Sequence, residues 1–256
     1  MPVNNKRSLL NGDLNMHMRK LGASKTVAVV AVFAALNVIT DSLMSLPEFP
    51  SGVWYSWNFL MEPLTGIALG PFMGPAATVI GVMIGHYVHF IDVYEFLFTI
   101  GAPIGVAITA LLFKGRWRPV LGYYTVLFAA YFVTPVAWQL PFWGMWDTYT
   151  AFVFLMAAVF LIEKGLWTHE SRRLPLILAT SAFVGLEADV LFRIFLFIPA
   201  QTYHFFYGFD AETLQWIWVS GAVITPIKVV LSTAAAVLVG YPLTKALRET
   251  VLRPNQ

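Results

Sequence analysis

The sequence contains no cysteine, which excludes disulfides, thiolate metal sites and cysteine nucleophiles. It has no G-x-x-x-x-G-K-[ST] phosphate loop, so the chain does not power itself with ATP by that route. A G-x-S-x-G element and an H-E-x-x-H pair are also missing. Charge is scarce, with Asp, Glu, Lys and Arg together at 12% of residues. No catalytic set, resident cofactor, metal centre or nucleic-acid partner is expected. Long linkers and low-complexity tracts are missing too, so residues 1–256 read as a single integral membrane domain.

What the sequence does have is apolar length. Hydrophobic residues make up 58% of the chain, in runs that repeatedly reach the roughly 17 to 25 residues a helix needs to cross a bilayer. The pattern predicts an all-α polytopic membrane protein with spans near 24–44, 57–70, 72–90, 96–113, 119–139, 148–164, 174–199 and 213–246. The polar, basic start 1–23 lacks the apolar core of a cleavable signal, so the first span is expected to anchor the chain in the cell membrane.

Eight spans require that "ALGPFMGPAA", residues 68–77, be a turn and not a kink. One helix over 57–90 would be about 51 Å long at 1.5 Å per residue, against a hydrocarbon core near 30 Å. The basic residues favour the turn as well. With a turn, Lys6 to Lys25, Lys114 to Arg118, Lys164 to Arg173 and Lys245 to Arg253 all fall on one side, as cytoplasmic loops should. Both termini, including the tail 247–256, are then inside. The opposite face would hold Asp41, Glu48, Asp92, Glu95, Asp147, Asp210 and Glu212, and seven of the nine tryptophans: Trp54, Trp57, Trp138, Trp143, Trp146, Trp216 and Trp218. Such a face is expected to be negative and to favour cations or neutral solutes. The tryptophans read either as an interfacial belt or as the walls of a site that stacks on a flat ligand.

Five ionisable residues fall inside the spans: Glu62, Glu187, Asp189, Arg193 and Lys228. Charges in hydrocarbon are expensive enough to be functional candidates. Asp189 and Arg193 are i,i+4 neighbours able to pair on one helix. Either these residues form a structural ion-pair network joining spans 2, 7 and 8, or part of the set faces a substrate cavity. "HYVHFIDVYE", residues 86–95, places His86, His89 and Asp92 at i,i+3 spacing, which suits ligand hydrogen bonding or an incomplete metal set. Two alternative functions follow: an ion-coupled secondary transporter with Glu187, Asp189 and Lys228 as a proton relay, and an intramembrane metalloenzyme on His86, His89 and Asp92.

The first span, "KTVAVVAVFAALNVI", carries Ala31-x-x-x-Ala35, a small-xxx-small contact motif. Together with the long loop 45–56, the hairpin "LTGIALGPFMGPAATVIGVMIG" and the last span's "ITPIKVVLS", it resembles the substrate-binding S component of energy-coupling factor (ECF) transporters. The resemblance covers spans 1 to 4 and the last span. It implies capture of a vitamin or related micronutrient, driven inward by a separate transmembrane coupling subunit with two ATPase subunits. It also implies partner docking through Ala31 and Ala35, and a capping loop that includes Trp54. The family's six spans would form the core, and 119–164 would be an extra hairpin. The expected ligand is a small molecule with a flat ring, neutral or cationic like thiamine, held near Trp54, Trp57, Glu62, His86, His89, Asp92, Arg193 and Lys228.

Overall fold

A computed structural model describes residues 23–43, 55–90 and 92–252. Residues 1–22 and most of the 45–56 loop, with Trp54, lie outside the described residues. The helices are α1 (Ala23–Ser42), α2 (Met61–Val88), α3 (Glu95–Phe98), α4 (Gly101–Phe113), α5 (Trp117–Phe132), α6 (Trp146–Glu163), α7 (Leu174–Phe197), α8 (Thr202–Phe205), α9 (Ala211–Leu238) and α10 (Gly240–Leu252). Single 3-10 turns occupy Asn58–Leu60, Pro135–Gln139 and Phe142–Met145, and no strand is present among the described residues. A helix satisfies its own backbone hydrogen bonds, which is what a chain this apolar needs in lipid.

Six helical segments are long and apolar enough to cross a membrane: Ala23–Ser42, Asn58–Val88, Glu95–Phe113, Phe142–Glu163, Leu174–Phe197 and Ala211–Leu247. Eight were expected, and two places account for the difference. The expected span 119–139 is a helix of only 16 residues, α5, which gives way to a 3-10 turn at Pro135. The other place is α2, where 57–70 and 72–90 count as one segment.

Within α2 the backbone breaks at Gly70, with φ 81° and ψ −175°. That conformation suits glycine, which has no Cβ to clash. A Cβ placed on Gly74 would lie 3.3 Å from the Thr65 carbonyl oxygen and 3.5 Å from the Gly66 Cα. Residues eight apart in a straight helix are separated by about 12 Å along the axis. The chain therefore doubles back at the Gly-Pro stretch, and 61–69 packs against 71–88.

Between helices in lipid, packing and hydrogen bonds hold the bundle where the hydrophobic effect cannot. The central helix is α7, flanked by α4, α5, α6 and α9. Gly105 of α4 and Gly185 of α7 let the two backbones meet, since a Cβ on either would fall 2.9 Å from the other's carbonyl oxygen. From α5, the Tyr124 and Tyr123 hydroxyls donate to the Val184 and Ala188 carbonyls of α7, each at 2.7 Å. Helix α1 is peripheral: it rests on α2 through Ala34, Asn37 and Asp41.

The two ends of the bundle differ. At one end, Lys114-Gly115 and Lys164-Gly165 stop α4 and α6 identically, each glycine at φ 70°. In both, the glycine N–H and the next N–H bond back to the last carbonyls of the helix at 2.8–2.9 Å, as in a Schellman cap. The Trp117 indole donates to Glu163 at 2.9 Å, and His169 contacts the Phe113 carbonyl at 2.9 Å. Phe113, Leu174, Ile177 and Leu178 fill the space beneath. Burial, with Arg116 beside it, lowers the Lys114 ammonium to about 8. The opposite end is where the helices part and polar side chains turn inward.

Candidate functional site

At that open end, the last turns of α1, α2 and α7 meet the beginnings of α2, α4, α6 and α9. Two adjoining cavities lie among them. The smaller is a polar recess of about 30 Å³, walled by Asp41, Glu62, His86, Asp189, Arg193 and Lys228 together with Tyr55, Asn58 and Phe59. The larger is a chamber of about 390 Å³. Its walls include Phe98, Phe197, Tyr207, Phe209 and Trp218, and its charged groups are Asp92, Glu95, Asp147, Arg193 and Lys228. Tyr55, Arg193 and Lys228 border both spaces.

Most polar groups of the recess are already paired. His86 Nδ1 contacts Asp41 Oδ2 at 2.5 Å, and the other Asp41 oxygen accepts from Ser56 at 3.1 Å. The His86 ring stacks on Tyr55 with centroids 4.9 Å apart. Arg193 Nε donates to Asp189 Oδ1 at 2.8 Å, the i,i+4 pair expected from the sequence. Lys228 Nζ lies 5.6 Å from the centre of the Phe59 ring. Three polar atoms stand apart. Glu62 Oε2, Asn58 Nδ2 and the Tyr55 hydroxyl are buried with no hydrogen-bond partner among the described residues. Burial, followed by the nearby Glu95, Asp41 and Asp92 carboxylates, pushes the Tyr55 phenol up, so it stays a neutral hydroxyl.

The sequence candidates are only partly brought together. Glu62, His86, Asp189, Arg193 and Lys228 share the recess, while Asp92 belongs to the chamber. Trp57 borders neither; it packs on Phe59 with ring centroids 5.8 Å apart. His89 meets Tyr55 edge-on at 6.3 Å and lines neither cavity. Asp92 accepts the backbone N–H groups of Tyr94 and Glu95 at 2.7 and 3.0 Å, so one of its oxygens serves as a local cap. No group of three His, Asp or Glu side chains able to hold a metal occurs among the described residues.

Glu187 leaves the expected network. It is fully buried and accepts a hydrogen bond from Thr148 at 2.9 Å, beside Asp147 of α6. The reason is helical geometry: residues two apart on α7 point about 200° away from each other. Asp189 faces the recess, so Glu187 faces α6.

The face expected to be uniformly acidic is also different in kind. Asp210 and Glu212 are exposed there, but Asp41 and Asp147 are buried at 3% exposure and Asp92 and Glu95 are half-buried. The tryptophans divide as well. Trp138, Trp143, Trp146 and Trp216 are exposed, as a belt requires. Trp218 is buried against Tyr131, rings 5.7 Å apart and 4° from parallel, and forms a chamber wall.

Sequence reading missed Tyr55, Asn58, Phe98, Tyr207 and Phe209 as site residues. The aromatic ones carry no distinguishing pattern in a chain with 21 Phe and 10 Tyr. Asn58, an amide at the entrance of an apolar run, was a usable signal. No family model matches this chain, and no curated protein or solved structure shows significant similarity to it.

Proposed function

We propose that the protein captures a small organic micronutrient from outside the cell, as the substrate-binding S component of an ECF-type uptake transporter, and that separate ATPase partners drive release. The observation that carries this reading is the one-sided chamber of about 390 Å³, open-ended where the aromatic and acidic residues gather and sealed from the basic end by packed helix termini. Its volume lies within the range of pockets for small organic ligands. In the proposed orientation the chamber end is outside and the Lys-Gly caps are cytoplasmic. Eight crossings then result from counting α5 and both halves of α2. Helices α1, α2, α4, α7 and α9 supply a six-span core, with α5 and α6 as the added hairpin.

Helix α1 supports the partner. Its Ala34 side packs on α2, while Ala31 and Ala35 are exposed among Val27, Val32, Leu36 and Ile39. A flat apolar strip that no described residue covers suits a second membrane helix. The ion-coupled alternative is weakened, because α7 turns Glu187 and Asp189 to different neighbours.

The test is reconstitution with an ECF coupling subunit and its two ATPases. Uptake should require ATP and all components, and Ala31→Trp should abolish association while leaving ligand affinity unchanged. Uptake by the chain alone in liposomes would replace this reading with an ion-coupled one.

A further inference from the structure

The recess and the chamber together constrain the chemistry of the ligand. Glu62 and Asn58, on α2 and the turn before it, are each 3% exposed and line the recess, and each carries a buried atom, Glu62 Oε2 and Asn58 Nδ2, with no hydrogen-bond partner among the described residues. Buried polar atoms are seldom left without partners, because each then loses its hydrogen bonds to water with nothing in return. Gly105 keeps this arrangement open, since a Cβ there would lie 3.1 Å from Glu62 Oε2. The other acids of the recess are committed: Asp41 to His86 and Ser56, Asp189 to Arg193.

A recess of about 30 Å³ has room for about two waters. That is also the room taken by an amino group and the ring nitrogen beside it. The adjoining chamber, walled by Phe98, Phe197, Tyr207 and Trp218, has the size and surface for the ring itself.

Resting on the capture reading above, we propose that the ligand is a planar heteroaromatic compound with an amino group next to a ring nitrogen, that this edge sits on Glu62 and Asn58, and that its ring lies in the chamber. A carboxyl group and an amino-azine edge are complementary wherever the shared proton resides. The carboxyl either donates O–H to the ring nitrogen or, ionised, accepts N–H from the protonated ring, and in both cases it accepts from the amino group. Asn58 Nδ2 and the Tyr55 hydroxyl are donors for the second ring nitrogen of a diazine. His86, which the sequence suggested for this task, is held by Asp41 instead.

The experiment is calorimetric titration of the purified full-length protein with 4-aminoquinazoline and with 4-methylquinazoline, which has the same ring and shape but lacks the amino donors. The amino compound should bind at least about tenfold tighter, because the methyl compound leaves the carboxyl oxygen that accepts from the amino group unpaired. Glu62→Leu should reduce that preference, and Asn58→Asp should weaken both rings alike, since it removes a donor to a ring nitrogen that both carry; Asn58→Asp retains the oxygen that Thr40 contacts at 3.3 Å. Equal affinity for the two rings, binding of neither, or a preference unchanged in Glu62→Leu would overturn the proposal. None of those results bears on ATP-driven uptake, which decides the capture reading separately.

Discussion

The two ends of this bundle use the same kinds of side chain for opposite purposes. At the basic end, Trp117, Trp167, His169 and Arg173 donate to nearby carbonyls or to Glu163, closing the helix termini around Phe113. At the other end, Trp218 and Tyr207 wall a chamber, and charged groups line it. Rings pack closely here too, Tyr94 on Phe206 and Tyr207 on Phe209, yet a chamber remains between the helices. One end is closed by packed termini and the other holds a cavity. The difference shows that charge placement by itself does not predict where a cavity forms; how the side chains are paired decides it.

The sharpest way to break the comparison is to damage the closed end. Phe113, 1% exposed and packed with Leu174, Ile177 and Leu178, should cost about 3 kcal/mol as Phe113→Ala. Thermal unfolding in detergent should reveal this, with ligand affinity of the folded fraction unchanged. A large affinity loss without destabilisation would mean that the closed end belongs to the site.

A smaller effect is expected at the open end. Arg193→Gln removes the partner of Asp189, whose side chain is 4% exposed, while Arg193 itself is 34% exposed. The loss should be about 2 kcal/mol, below the 3–5 kcal/mol of a fully buried pair, and ligand binding should weaken as well. Arg193→Gln combined with Asp189→Asn should recover most of the stability, since no uncompensated charge remains. If the double variant is no more stable than the single one, the pair is not what holds this end together.

The least perturbing test concerns direction. With no native cysteine to interfere, Asp210→Cys and Arg116→Cys, both at exposed positions, can be labelled in intact cells. An impermeant maleimide should react at 210 directly and at 116 only after permeabilisation. The reverse pattern would turn the chamber to the cytoplasm and remove the basis for uptake.

Much of the fold was legible because it depends on local properties. Apolar run length announced membrane helices, and the Gly-Pro spacing announced the reversal that Gly70 makes with its positive φ. The Asp189–Arg193 pair followed from one helical turn of separation. The run 119–139 is matched only in part: its helix ends at Phe132 and Pro135 opens a 3-10 turn.

The candidate site was legible only in part, for a related reason. Depth along a helix can be counted from its ends, which sets Glu62 level with Arg193 and Asp189 level with Lys228. Azimuth cannot be counted that way, because it depends on which neighbour each face meets. Glu187 and Asp189 were therefore grouped although α7 sends one to Thr148 and the other to Arg193. The exposed acids expected at Asp41 and Asp147 proved to be buried ones for the same cause.

The sequence by itself determined helical class, membrane character, the asymmetry of basic residues and the break at the Gly-Pro pairs, since hydropathy, charge and backbone stereochemistry act within a few residues. Only the tertiary structure decided that His86 is bound to Asp41, that Trp218 leaves the belt for a chamber wall, and that Glu62 and Asn58 face a recess with buried atoms unpaired. Those outcomes depend on close contact between α1, α2, α4, α7 and α9, where an approach as near as Gly105 to Gly185 sets which side chains have room and which must turn into the cavity.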